Sequence, residues 1–226
     1  MNKGIRRWAR LAVIGNIVFV FAWLLAAAWQ GPNYSFAGHT ISDMYADGAP
    51  GAWFLIVLFT LAGAAVMMFA LRSLWPALRE AGRPARIGAV LVALSIFGLG
   101  DLLSLFEREG CRLADAGCTA AMQTATAGGV LDAVLSTLGV AALLVAGFFL
   151  AAAMKRLPAW ESWVRRTRWA SVVFLGLFVL DGLLGSTGLG GLCERLIALA
   201  GAVGISALAI GVLRRTRTPA VTAAVV

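Results

Sequence analysis

Six apolar runs, each about the length of a bilayer crossing, dominate this chain. They are Leu11–Trp29, Trp53–Leu71, Ile87–Phe106, Ala127–Met154, Ala170–Ser186 and Leu196–Leu213. A helix needs about 20 predominantly apolar residues to cross the hydrocarbon core. No water is available there, so a crossing segment must satisfy its own backbone hydrogen bonds, which only helices and closed barrels do. The runs are far longer than a membrane strand and do not alternate, which leaves helices. The sequence therefore predicts an all-α, polytopic membrane protein: one six-helix domain over residues 1–215 and a disordered cytoplasmic tail over 216–226. Composition agrees. Hydrophobic residues make up 61% and charged residues 13%, against about 45–50% and about 25% in soluble domains.

Basic residues orient the bundle, because connections rich in Lys and Arg stay in the cytoplasm. Lys3, Arg6, Arg7 and Arg10 precede the first run, and Arg72, Arg79, Arg83 and Arg86 separate the second from the third. Lys155, Arg156, Arg165, Arg166 and Arg168 separate the fourth from the fifth, and Arg214, Arg215 and Arg217 follow the sixth. Only Arg108, Arg112 and Arg195 fall on the other side. Both termini are expected to be cytoplasmic, and the net charge of +8 reflects topology, not a nucleic-acid footprint. The first run is longer than a signal-peptide core, so it reads as an uncleaved span. Trp8, Trp75, Trp160, Trp163 and Trp169 mark the inner interface, and Trp29 and Trp53 the outer one. The inner connections, each with proline and tryptophan, suit short interfacial helices. Topogenic anchoring explains their charge; recognition of anionic lipid is the sharper alternative. No internal repeat is visible. The 26 glycines fit close helix packing in lipid.

Three carboxylates interrupt the apolar runs. Asp101, Asp132 and Asp181 lie in the third, fourth and fifth spans, all toward the outer side. A carboxylate at the bilayer centre costs roughly 2.5–3.5 kcal/mol on insertion scales, and such residues mark functional sites by default. At 1.5 Å per residue, Asp101 lies roughly 8 Å in and the other two roughly 8–12 Å, so the three can share one layer. Gly98 and Ser104 flank Asp101, Gly128 and Ser136 flank Asp132, and Gly185 follows Asp181 at helical spacing. Three such acids do not all ionise cheaply in a low dielectric. A cation, shared protons or Arg195, at the outer start of the sixth span, must compensate. Pairing with Arg195 alone would make the acids structural.

The outer connection Gln30–Gly51 adds His39, the single histidine, with Ser42 and Asp43. Asp43, Asp101 and His39 could hold a divalent metal. Ser42-Asp43 could equally cap a short helix. A serine hydrolase lacks its nucleophile elbow here. Cys111 and Cys118, in the outer connection Glu107–Thr126, suit a disulfide in an oxidising compartment. Cys193 reads as a small buried residue and Asn16 as interhelical glue. Asn33-Tyr34-Ser35 matches a glycosylation sequon, discounted because the Ala-, Gly-, Leu- and Arg-rich composition looks bacterial.

Tyr34-Ser35 through Ile41-Ser42-Asp43, the Asp at the outer end of span three and the Gly191-Leu192-Cys193-Glu194-Arg195 entrance to span six resemble a bacterial six-span family, domain of unknown function 998. The resemblance covers nearly the whole chain and implies a fold but no activity. Asp132 stands where the family pattern has a histidine. A fainter similarity, around Ile41-Ser42-Asp43, is to Frag1/DRAM-like six-span proteins.

Three functions fit. The first is an outward acidic pocket, formed by Asp101, Asp132, Asp181, Asp43, His39, Ser42 and Arg195, that binds or moves a cation, a proton or a small amphiphile. The second is an enzyme acting on a lipid headgroup or isoprenoid at the outer leaflet, and the third a structural or accessory subunit. The partners expected are the lipid bilayer and a lipid or small-molecule ligand, without nucleic acid, and the location is the inner membrane.

Overall fold

The computed structural model describes residues 3–215; the tail expected to be disordered lies outside them. Among the described residues the chain is helical, without strands. Four stretches are long and apolar enough to cross a membrane: Lys3–Trp29, Ala52–Ala81, Ala127–Lys155 and Pro158–Arg215. The protein is therefore a multi-pass helical membrane protein. In chain order the helices are α1 (Lys3–Ala26), α2 (Ala52–Phe69), α3 (Trp75–Leu78), α4 (Arg83–Ala93), α5 (Ala120–Gln123), α6 (Ala127–Lys155), α7 (Glu161–Leu184) and α8 (Gly190–Arg215). The last stretch, 58 residues long, bends at Gly188. There φ is +81°, a left-handed value that glycine adopts without penalty, and α7 and α8 pack against each other.

The helices close into a ring. α1 packs on α2, α2 on the segment that follows α4, that segment on α6, α6 on α7, α7 on α8, and α8 back on α1. Asn16 of α1 donates from Nδ2 to the Ser206 hydroxyl of α8 at 3.1 Å, a polar tie across the ring's closing contact. α6 opens on a cap: the Thr126 hydroxyl accepts from the Gly129 amide at 3.0 Å, satisfying one of the orphan donors of the first turn.

The third apolar run departs from expectation. It is not one helix from Ile87 to Phe106. α4 ends at Ala93, Ser95 takes an extended conformation, and Ile96–Gly100 forms a wide π-turn. Gly98 makes this possible, because a Cβ there would overlap the Ala93 carbonyl. The kinked segment sinks into the bundle where neighbouring helices lack side chains. A Cβ at Gly63 of α2 would strike the backbone at Asp101–Leu102, one at Gly139 of α6 would stand 2.5 Å from the Ile96 nitrogen, and one at Gly201 of α8 would enter the Phe97 ring. Small residues thus let backbone approach backbone, as helix association in lipid requires. The consequence for the site is direct: the kink carries Asp101 into the middle of the ring.

Candidate functional site

Every wall of the ring contributes to a cavity of about 160 Å³. Its polar lining is Asp101, Asp132, Asp181, Glu194, Ser42, Ser136, Thr137 and the phenol of Tyr45. Its apolar lining includes Phe19, Phe59, Phe97 and Phe178. The Phe19 ring lies 4.8 Å from Phe59 and 5.7 Å from Phe97, centroid to centroid. Among the described residues no basic side chain lines this space. Asp101 and Asp132 are buried, Asp181 half-buried, and Tyr45 faces the Asp132 carboxylate. The three intramembrane acids thus open onto one cavity, as does Ser42.

Arg195 does not join them. It is buried, and its Nη1 donates to the carbonyls of His39 and Gly191, both at 2.7 Å. Its Nη2 donates to the Tyr34 hydroxyl, and its guanidinium lies 4.2 Å from the Phe36 ring centroid. Of the three ways to compensate the acids, pairing with Arg195 is not the one present: Arg195 clamps the first connection instead. The physical reason is that backbone carbonyls, the Tyr34 hydroxyl and aromatic faces engage both terminal nitrogens without a carboxylate, while Nε is left without a hydrogen-bond partner. Ile41 N donates to the Glu194 carboxylate and Leu192 N to the Ala37 carbonyl at 2.9 Å. The stretch Tyr34–Ser42 and the entrance of α8 are two halves of one seam.

His39 and Asp43 also lie outside the cavity lining. The His39 Nδ1 accepts from the Ser35 amide at 2.8 Å, so it is not poised as a base for Ser42. Asp43 is fully buried, and one carboxylate oxygen accepts from the Leu113 amide of the second connection. Asp43, Asp101 and His39 do not assemble as a metal site: among the described residues, no three His, Cys, Asp or Glu side chains come together in a metal-binding group. The short 3₁₀ helix Ser42–Met44 has no cap from Ser42 or Asp43. Its orphan amide at Asp43 is taken by the Thr40 hydroxyl at 3.2 Å; Thr40 does the capping that the sequence suggested for its neighbours.

The second connection roofs the site with carboxylates that sequence reasoning missed. Glu107 is 1% exposed, and its Oε2 has no protein partner. Burial, reinforced by the nearby carboxylates of Asp132 and Asp101, raises its pKa to about 9. Glu109 accepts from the Ser42 hydroxyl at 3.0 Å and from Gln123 Nε2 at 2.6 Å. Burial, with Asp132 the leading charge, raises its pKa to about 8. Asp43 and Tyr45 are also raised, chiefly by burial. Ser42 therefore touches both the cavity and the roof. Arg108 binds the Tyr45 and Ala46 carbonyls at 3.1 Å and pairs with Asp47 at 3.1 Å, while Arg112 reaches the Gln30 carbonyl at 2.8 Å. Cys111 and Cys118 are bonded, with Cα atoms 5.9 Å apart; Cys193 is free and buried. The sequence signal for Glu107 and Glu109 was their position at the loop-rich end of an apolar run, and Glu194 also lies in the 191–195 stretch that carries the family resemblance.

The family model described as protein of unknown function (DUF998) matches residues 13–225. No curated protein and no solved structure matches the chain.

Proposed function

The chain belongs to the DUF998 family, whose function is unknown, and we propose that its cavity binds, and passes on, a small cation or the protons that replace one. In this reading the protein sits in a bacterial inner membrane with six spans. The kinked third segment counts as one span and the Pro158–Arg215 stretch as two. The positive-inside rule puts the basic end and both termini in the cytoplasm and the loop-rich end outside.

The observation that carries the proposal is the lining itself: four carboxylates and several aromatic faces with no basic side chain. Acids in such a place must be neutralised by protons or by a bound cation. Aromatic faces add attraction for a weakly hydrated organic cation. The volume, about 160 Å³, is close to that of a cavity that holds a benzene-sized guest, about 150 Å³. A short-chain ammonium suits both the charge and the size.

Butyltrimethylammonium binding to the full chain in lipid nanodiscs, followed by calorimetry, tests this. Wild type binds, Asp101→Asn and Asp132→Asn weaken binding at least tenfold, and Asp47→Asn, whose carboxylate pairs with Arg108 outside the cavity, leaves it unchanged. Equal binding by all four proteins, or none by wild type from acid to alkaline pH, would sink the proposal.

A further inference from the structure

A second cavity lies at the opposite, basic end of the bundle, between α6, α7 and α8. It holds about 120 Å³. Its wall is apolar apart from Arg166, Thr167 and Ser171. Both hydroxyls are already satisfied inside the protein: Thr167 by the Met154 sulfur at 3.4 Å and Ser171 by the Thr167 carbonyl at 3.0 Å. Neither hydroxyl calls for a polar guest. On α7 the lining follows Arg166, Thr167, Ala170, Ser171 and Phe174, one helical face about 12 Å long at 1.5 Å per residue. On α8 the wall is open at Gly204, where an added Cβ would meet nothing within 4 Å.

Charge gathers at one end of this crevice. Arg166 stands at its mouth, exposed, with only the Trp163 ring 5.9 Å from its guanidinium carbon. A neighbouring groove carries Lys155, Arg165 and Arg168 with one acid, Glu161. Among the described residues none of these four cations is in a salt bridge; the two pairs present involve Arg108 and Arg112. An apolar slot ending in unpaired cations at the membrane surface matches one occupant by shape and charge: an acyl chain whose headgroup is anionic.

We infer that this crevice is a binding site for one anionic phospholipid, its chain along α7 and its phosphate at Arg166. The site is separate from the acidic cavity, and neither depends on the other.

Native mass spectrometry of the full chain, equilibrated with equimolar phosphatidylglycerol and phosphatidylethanolamine, tests it. Wild type retains one phosphatidylglycerol with at least fivefold preference. Arg166→Gln removes the preference, and Gly204→Leu, which fills the slot, cuts retention at least fivefold. Gly176→Leu, on an exposed face of α7 outside the crevice, leaves retention unchanged. Equal retention of the two lipids by wild type, or undiminished retention in both Arg166→Gln and Gly204→Leu, overturns the inference. A lipid-free dimer that Gly204→Leu dissociates would also overturn it, showing that a second copy covers the slot.

Discussion

The two ends of the bundle hold themselves together by different physics. At the loop-rich end, Arg195, Arg108, Arg112, Glu109 and Asp43 are tied to backbone and side-chain partners across sequence distances of tens of residues. At the basic end Leu74, Leu78, Leu150, Met154 and Val212 are fully buried, and the arginines reach carbonyls, Arg156 that of Ala81 at 3.1 Å and Arg215 that of Ala159, nearer the surface, at 2.8 Å. Arginines there lie over tryptophans, Arg215 3.9 Å from the Trp160 ring centroid. Apolar packing tolerates substitution of similar volume, whereas a buried polar network loses heavily when one partner goes. The loop-rich end is therefore specified by individual residues and the basic end by volume.

The sharpest way to break this comparison is to remove one arginine from each end. Arg195→Met leaves two backbone carbonyls and the Tyr34 hydroxyl short of a donor, a loss on the order of 3–5 kcal/mol. Arg215→Met removes a half-buried stack on Trp160 and donors to the Ala159 and Gly211 carbonyls at 2.8 and 3.2 Å. The bond to Ala159 is exposed, so water can replace the lost donor there, and the cost is about 1 kcal/mol. Thermal melting in detergent should show the first variant far below the second; equal melting would contradict the division.

Next comes space. Gly63→Ala pushes a methyl into the Asp101–Leu102 backbone and costs about 1–3 kcal/mol by overpacking. Gly176→Ala meets nothing within 4 Å and stabilises its helix by about 0.5–1 kcal/mol. The same melting series checks the opposite signs. Cys111→Ser opens a loop closed across seven residues and costs about 2 kcal/mol, read as earlier proteolysis of the second connection while cleavage at the basic end is unaffected.

The last effect concerns pH. Glu107 holds its proton to about 9 in the fold against an ordinary value of 4.5. The folded state therefore binds the proton more tightly than the unfolded chain does. Its contribution to stability is complete below pH 4.5 and is lost as pH climbs toward 9. Wild type should melt progressively lower across that window. Glu107→Gln, always neutral, should lose less across the window and melt above wild type at alkaline pH. An identical pH profile for the two proteins would show that Glu107 is solvated or paired in the working protein.

Much of this could be read from the chain, and the failures have physical causes. The long helices follow from apolar length alone, and the layer shared by Asp101, Asp132 and Asp181 follows from counting residues inward from span ends. The kink at Ser95–Gly100 was hidden because its sequence, SIFGLG, is as apolar as a helix; only the tertiary fit against Gly63, Gly139 and Gly201 reveals it. Arg195, at the outer start of the sixth span, was one of three ways to compensate the acids; its clamp on the first connection was not legible because the connection that folds back supplies carbonyls and rings. Glu107 and Glu109 looked like ordinary loop residues, since burial of a loop depends on distant partners, for Glu109 Ser42, Asp47 and Gln123, and leaves no periodic signature.

An acidic cavity neutralised by protons or by a cation must release protons when a cation enters it. Purified protein in weakly buffered solution near neutral pH is titrated with butyltrimethylammonium while a pH indicator is followed. The account predicts that protons leave in proportion to cation bound and that release vanishes in Asp101→Asn/Asp132→Asn. Binding without proton release in wild type, or equal release in the double variant, would contradict it.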